Sequence, residues 1–386
     1  MRFGIDAAGW LNRRGYGRFT RNAVTRLVES DGEAEYVLLV DSDTAARATL
    51  PPAARVRVVA TSRPPAEAAA EGSYRRIADV WQFVRAARTE SLDALLFPSL
   101  HTWFPVRGTA VVVGVHDTIA DDLPELAFPK RRDRVLWQLK QRLAVRGADE
   151  LFAVSEASRS AVATRFGVPR ESIALVPEAP DPVFSPRAAA QVAEAAEAIG
   201  ATARYILFAG GISPHKNVTG LIRAYATLAG RVADAPALVL AGSLEDEVYA
   251  TAAESVRGHI AQLGLNGHVL LPGFVSDEVL ARLYSGAALV VNPSLGEGFG
   301  LPAVEAAACG APLVLSDLPA HRESLGDAAL YVPPGDDACL ADTLVRLLGD
   351  ARLREDLATR ARARVARLSW DDAATALGSL LREAAR

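Results

Sequence analysis

Short apolar runs alternate with segments of helical period along the whole chain. "RFGID", "YVLLVD", "RVRVVA", "DALLFP", "AVVVGVHD", "ELFAVS" and "IALVPE" read as strands in the first part. "RYILFAGG", "ALVLAGS", "HVLLPG", "ALVVNPS" and "PLVLSD" follow after Ala203. Alternation of this kind predicts parallel sheets flanked by helices. Between the two sets lies "PEAPDPVFSPRAAAQVAEAAEAIGATA". Its prolines mark a linker, and its alanine-rich second part reads as a helix that packs little. The expected class is α/β, with two Rossmann-like halves and a cleft between them, residues 1–185 and 200–368. The tail, "SWDDAATALGSLLREAAR" over 369–386, reads as an amphipathic helix. Ser369 or Asp371 would cap it, and Leu377, Leu380 and Leu381 would form its buried side. No repeat of solenoid period is present.

Composition narrows the class. A chain of 386 residues is too long for one ordinary core. The charged fraction of 23% fits a folded soluble protein, and the net charge of −4 gives no general attraction to nucleic acid. Cys309 and Cys339 are the only cysteines, so neither a disulfide framework nor a Cys-rich metal site is expected, and a reducing cytoplasm suits the chain. The start "MRFGIDAAGW" reads as a strand and not a signal peptide. No apolar run reaches the length of a membrane span.

The richest chemistry lies in "NPSLGEGFGLPAVE", Asn292 to Glu305. It follows a buried strand, turns on Gly296, Gly298 and Gly300, and enters a helix near Leu301. Glu297 falls in the loop and Glu305 about one turn into the helix. "FAGGISPHKNVTGLIRAY" is a second strand, glycine turn and helix, with Gly210, Gly211 and Lys216 at the turn. Helix N-termini beside a lysine suit a diphosphate. Carboxylates suit paired hydroxyls, as a ribose or a sugar offers. Together they describe a nucleotide-sugar. Alternatively Lys216 is a surface lysine, and Glu305 an ordinary helix glutamate.

Three further features carry alternatives. His116, at the end of "VVVGVHD", is a site residue or a packing histidine. Asp41-Ser42-Asp43 resembles a divalent-metal Asp-x-Asp, but Asp43 is better read as capping a helix from Thr44. The segment 129–147, "PKRRDRVLWQLKQRLAVRG", carries many cations interleaved with Val135, Trp137, Leu139 and Leu143. It is either a face for anionic lipid or a helix whose apolar side is core. The second reading is preferred, since Trp137 and the leucines have a sheet to cover.

"NPSLGEGFGLPAVEAAACGAPLVLSD", with its Glu-x7-Glu frame, resembles the donor site of retaining GT-B glycosyltransferases, in particular glycosyltransferase family 4. "GGISPHKN", "GFVSDEVLARLYSGA", "VVGVHD", "ADELFAVSEASRSAV" and "LVPEAPDPVFSP" stand in that family's order, over nearly the whole chain. The resemblance implies two Rossmann domains, with the last helix crossing back to the first. It implies that Lys216 neutralises the donor diphosphate, aided by Gly15, Gly17 and Gly211. Glu297, with the N–H groups of Gly298, Phe299, Gly300 and Leu301, would hold the sugar, and Glu305 the ribose. Gly273 and Phe274 would meet the base, and His116 the reactive carbon. Trp10, Tyr16 and Asp117 are candidates for the acceptor.

The sequence departs from that pattern in places. His215 and Gly211 stand where many relatives have a phosphate-site arginine, for which Arg13, Arg14 or Arg18 is a candidate replacement, and Glu178 stands where relatives often have asparagine. The expected activity is metal-independent, cofactor-free, retaining hexosyl transfer from a UDP- or GDP-sugar to a glycan, lipid-linked or small-molecule acceptor. It would take place in the cytoplasm, with peripheral membrane contact through 129–147. A nucleotide-sugar epimerase, a sugar phosphorylase and a non-catalytic binding protein are the rival readings.

Overall fold

The computed structural model describes residues 1–62, 76–128, 130–201, 204–243 and 250–386. The chain divides into two compact units. One is Met1–Glu178 together with Ser369–Arg386, and the other is Ala179–Leu368.

The first unit holds a parallel sheet of β1 (Arg2–Asp6), β2 (Glu35–Asp41), β3 (Arg55–Val59), β4 (Ala94–Phe97), β5 (Ala110–Gly114), β6 (Glu150–Ala153) and β7 (Ile173–Leu175). Their order is β3-β2-β1-β4-β5-β6-β7. Val37, Leu38, Leu39 and Val40 are fully buried, as are Leu95, Leu96 and Phe97. That is why the strands read as continuous apolar runs, with helices covering both faces. The order reverses between β1 and β4, and the loops leaving their carboxyl ends flank that switch point, where open α/β sheets bind ligands. The tail helix Trp370–Ala384 belongs to this unit and packs on the helix Gly15–Ser30. Leu377 and Leu381 are fully buried and Leu380 nearly so, and Ser369 Oγ caps the helix by accepting from Asp371 N. Arg382 fixes its far end by donating to Asp31 at 2.6 Å.

The second unit holds β8 (Tyr205–Ala209), β9 (Ala237–Ala241), β10 (Val269–Gly273), β11 (Leu289–Asn292), β12 (Leu313–Ser316) and β13 (Leu330–Val332), ordered β10-β9-β8-β11-β12-β13 and all parallel. The pattern of apolar runs misses β13. It is a three-residue edge strand, half exposed on two positions, and so has no run to show. The switch point here lies between β8 and β11, paired through Leu289 with Ile206 and Val290 with Leu207. The loop with Lys216 leaves β8, and the loop with Glu297 leaves β11. The topology therefore places both motif loops side by side.

Three expectations need correction. The proline-rich stretch after Glu178 is not a loose linker. Phe184 is buried against Tyr284, with ring centroids 5.9 Å apart, and Arg187 N donates to Ser285 Oγ. The alanine-rich helix Ala189–Ala198 packs on the helix Asp277–Gly286, so closely that a Cβ on Gly286 would meet Val192. Ala and Val suffice because the gap is narrow. Secondly, Asp41 rather than Asp43 caps the short helix Ser42–Arg47. Its carboxylate accepts from Asp43 N, Thr44 N and Thr44 Oγ1, while Asp43 pairs with Arg47. Thirdly, the leucines of the basic helix Arg131–Arg146 do not cover the sheet. Trp137, Gln141, Ala144 and Val145 do, and Val135, Leu136, Leu139 and Leu143 face outward. Pro129 lies outside the described residues.

Candidate functional site

In the second unit, Lys216 ends the short 3-10 turn Pro214–Lys216, and Asn217 follows in the left-handed conformation. The helix Val218–Ala229 then starts without a side-chain cap. The helix Leu301–Ala308 also starts without one, after Gly300 at φ +89°. Two helix N-termini at neighbouring strand ends thus keep donors and positive potential for an anion. A Cβ on Gly211 meets none of the described residues within 4 Å.

Lys216 Nζ stands 2.7 Å from Glu297 Oε1, although 81 positions separate them. The same oxygen faces Ser294 Oγ at 2.7 Å and Asn292 Nδ2 at 3.3 Å. Burial opposes the charge on Glu297. Lys216 outweighs it, by its charge and its hydrogen bond, and holds the carboxyl down at about 2. Glu297 is therefore a carboxylate at every physiological pH. Glu305 lies 3% exposed on its helix, among Ala303, Val304, Ala306 and Ala307, all fully buried. Gly298, Phe299 and Leu301 complete the loop, Gly298 half-buried and the other two buried.

Three nearby residues carry signals that motif reading passes over. His321 is fully buried, with Nδ1 2.9 Å from the carbonyl oxygen of Ser316. A carbonyl only accepts, so Nδ1 carries the proton. Burial keeps the ring neutral against the pull of Glu297. Among the described residues its Nε2 has no hydrogen-bond partner, and a Cβ on Gly300 would lie 2.8 Å from Cδ2. His321 is thus the floor on which the glycine loop rests. Its sole sequence signal is a lone histidine in "LPAHRES". Ser294 is a small polar residue inside the quoted motif. Gly242 directly follows β9, and a Cβ there would strike the carbonyl oxygen of Gly210 at 2.0 Å. Gly242 N donates to the carbonyl of Gly273, and Gly210 N to that of Ala241. Gly210, Gly242 and Gly273 therefore form one glycine edge across β8, β9 and β10, with the side chain of Phe274 exposed beyond it.

In the first unit, Trp10 is buried and its carbonyl accepts from Arg21, which also reaches the carbonyl of Asn12. A Cβ on Gly17 would lie 2.1 Å from Asn12 O. The loop's own tight turn therefore requires that glycine, whatever binds there. Gly15 opens the helix and is exposed. Arg13 is exposed, and Arg14 and Arg18 are half-buried beside it.

Tyr16 stacks on His101, centroids 5.1 Å apart, and His101 packs on Trp137. Burial, with Lys140, Arg14 and His116 nearby, holds His101 neutral with its pKa down at about 3. His116 Nε2 stands 2.8 Å from the carbonyl of Pro98, and Nδ1 3.5 Å from Glu178 Oε1. Burial disfavours its charge, but Glu178, the Pro98 carbonyl and Asp117 outweigh that and raise its pKa. Asp117 accepts from Ile119 N at 3.0 Å and so turns the chain into the next helix. His101, His116, Asp117, Trp137 and Gln141 line a common pocket.

The comparisons with known proteins agree with this arrangement. A family model described as Glycosyltransferase Family 4 matches residues 13–183, and one described as Glycosyl transferases group 1 matches residues 191–364. The chain is 31% identical to the O-antigen chain mannosyltransferase B of Escherichia coli over 276 residues, 71% of this chain and 70% of that protein. It is 35% identical to an MMP alpha-(1->4)-mannosyltransferase of Mycolicibacterium hassiacum, over 61% of this chain and 54% of the relative. Sucrose-phosphate synthase from Thermosynechococcus elongatus has the same fold, with a TM-score of 0.77 at 19% identity, covering 99% of this chain and 98% of that one. So has Anabaena HepE, solved with UDP and glucose, with a TM-score of 0.77 at 19% identity and 99% of each chain covered. A GT-B fold, both family models and a relative at this identity have one reading: the chain belongs to glycosyltransferase family 4, the glycosyl transferases group 1.

Proposed function

We propose that the chain transfers a hexosyl group, with retention of anomeric configuration, from a UDP- or GDP-linked sugar to a hydroxyl acceptor. The observation that carries this is the Lys216–Glu297 pair, set between two uncapped helix N-termini. A diphosphate competes for Lys216 and, on taking it, releases the Glu297 carboxylate for sugar hydroxyls. Binding of the two halves of the donor is coupled in this way. The bond from the anomeric carbon to the diphosphate oxygen breaks as the acceptor oxygen bonds that carbon on the same face. The leaving phosphate takes the acceptor's proton. Lys216 and the helix ends stabilise the charge left on the diphosphate. They do so without a divalent ion, and Asp41, the alternative ligand, spends its carboxylate as a cap.

Mannose is the first sugar to test, because several relatives named mannosyltransferases align over more than half of this chain. The acceptor is a glycan, a lipid-linked or a small-molecule hydroxyl. Named relatives include a phosphatidyl-myo-inositol mannosyltransferase and D-inositol 3-phosphate glycosyltransferases. No helix among the described residues is long and apolar enough to cross a membrane. We place the enzyme in the cytoplasm, working at an inner membrane face. The test is incubation with UDP- and GDP-hexoses and a panel of acceptors, with excess EDTA in a parallel arm. An α-linked product from an α-linked donor, formed equally with EDTA, supports the reading. A β-linked product, loss of activity with EDTA, or donor turnover without a new glycosidic bond would each overturn its part.

A further inference from the structure

The two motif loops of the second unit are short of positive charge for a diphosphate. Residues 210–217 and 292–308 hold one permanent cation, Lys216, against two carboxylates, Glu297 and Glu305. Lys216 is already paired with Glu297. The helix N-termini supply only partial charge. One group packed against these loops can gain a charge. His321, on the helix Pro319–Leu325, is fully buried, with Nδ1 donating to the Ser316 carbonyl. Its Nε2 is buried without a hydrogen-bond partner among the described residues, and would lie 3.2 Å from a Cβ on Gly300. An unpaired polar atom in such a place is costly. Burial opposes a charge on the ring most strongly, and Lys216, from the turn after β8, opposes it too. Glu297, from the loop after β11, and the Ser316 carbonyl, at the end of β12, favour it. The other charges close to this helix are engaged elsewhere. Arg322 pairs with Asp317 and stacks on Tyr331, whose hydroxyl donates to the His321 carbonyl. Arg364 donates to the carbonyls of Glu323 and Ser324.

We propose that binding of the donor diphosphate at Lys216 is coupled to the uptake of one proton by His321 at Nε2. The coupling rests on Lys216 being the diphosphate's partner. In the free protein Lys216 matches Glu297, and a second positive charge beside it is unfavourable. A diphosphate that takes Lys216 offsets that repulsion and leaves the Glu297 carboxylate without its cation. Both changes favour charge on the ring. The proton comes from solvent, Nε2 gains a hydrogen, and the Nδ1 bond to Ser316 stays. His321 is then a positioning residue. Its charge lies beneath Gly300 and holds the loop and Glu297 in place once the lysine has turned to phosphate. The free ring titrates below 6.5, and the bound ring titrates higher. Donor affinity therefore falls as pH rises between those two values. Below the window the ring is already charged, and above it the ring stays neutral.

The test is calorimetry of the full chain with GDP-mannose and with UDP-glucose, whose diphosphates do not titrate near neutral pH. Each is run in two buffers of different ionisation enthalpy, across the mildly acid to neutral range. Within the window, uptake of about one proton per donor is expected, with affinity falling up to about tenfold per pH unit. His321→Asn keeps a donor for Ser316 but cannot titrate, and should bind with no uptake and a flat profile. In the wild type, the Nε2 resonance should move from its unprotonated to its protonated position when donor is added, a readout that needs no variant to fold. Binding without uptake, or an Nε2 resonance that stays unprotonated, overturns the coupling and leaves the diphosphate site standing. So does uptake that persists in His321→Asn. Uptake lost in His215→Asn alone assigns the proton to His215 and overturns the proposal as well. Binding of neither donor at any pH overturns both the coupling and the diphosphate site.

Discussion

Lys216 and Glu297 form a 2.7 Å ion pair across the switch point of the second sheet, so the cation and the anion expected to hold different parts of one substrate hold each other. Their side chains are 17% and 7% exposed. Removing one partner of a buried pair leaves an uncompensated charge. Lys216→Met should lower stability by about 3 kcal/mol, the low end for a buried pair, since part of the lysine stays wet. Lys216→Met/Glu297→Gln should recover most of that loss. Urea unfolding of the three variants measures it, and additive losses would show that the pair is not coupled.

The same pair sets an acid limit. The folded pKa of Glu297, about 2, lies below the ordinary value of 4.5. The stability it contributes is present above about 4.5 and is lost as pH falls toward 2. Wild type should therefore lose more melting temperature than Glu297→Gln between those pH values. Parallel scans across the window test it.

His116 behaves with the opposite sign. Glu178 and the Pro98 carbonyl raise its pKa above 6.5, against burial. The stability from the charged ring is fully present below 6.5 and is lost as pH rises through the raised value. Glu178→Gln should bring the His116 titration down, read from its ring proton resonances. It should also remove the stability difference between mildly acid and alkaline pH. Both ring nitrogens face protein acceptors. That arrangement favours the protonated ring, in line with the upward shift. A titration unmoved by the substitution would assign the shift to some other group.

Gly211 offers a test by gain. Among the described residues nothing lies within 4 Å of its Cβ direction, and its backbone is not in the left-handed region. The family resemblance implies an arginine at this place in many relatives. Gly211→Arg should add a charged hydrogen bond to the diphosphate, worth ~1.5–3 kcal/mol when well formed. Calorimetry with UDP and GDP should then show roughly tenfold or tighter binding. No change would mean that Gly211 does not lie within reach of the diphosphate.

The legibility of this chain follows burial. Strands covered on both faces read as apolar runs, so all but β13 were visible, and the glycine turns marked the two site loops. The packing of the linker was not visible, because Ala189–Ala198 buries only small side chains that look like low-information alanine. His321 was missed because its importance lies in a contact with Gly300, 21 positions away, that only the fold creates. The outward face of Arg131–Arg146 is not legible in the sequence, because the period fixes which residues share a side but not which side is buried. For Glu178, the structure supplies what the motif could not: a carboxylate facing His116.

The two glutamates of the glycine loop should separate by ligand. Glu297 in its pair competes with diphosphate for Lys216. Glu297→Gln removes that competition, so UDP or GDP alone should bind at least as tightly as to wild type. The intact nucleotide-sugar should bind about tenfold or more weakly, since a charged acceptor for its hydroxyls is gone. If the contact strengthens as charge develops at the anomeric carbon, kcat falls as well as KM rising. Glu305, buried on the following helix, is expected from the family resemblance to meet the ribose, which both ligands carry. Glu305→Gln should therefore weaken both ligands alike. Calorimetry of each variant with the diphosphate and with a non-reacting donor analogue decides. Weaker binding of the bare diphosphate to Glu297→Gln would mean that the carboxylate holds Lys216 in place for phosphate rather than withholding it, and Glu297 would then be a positioning residue for the lysine.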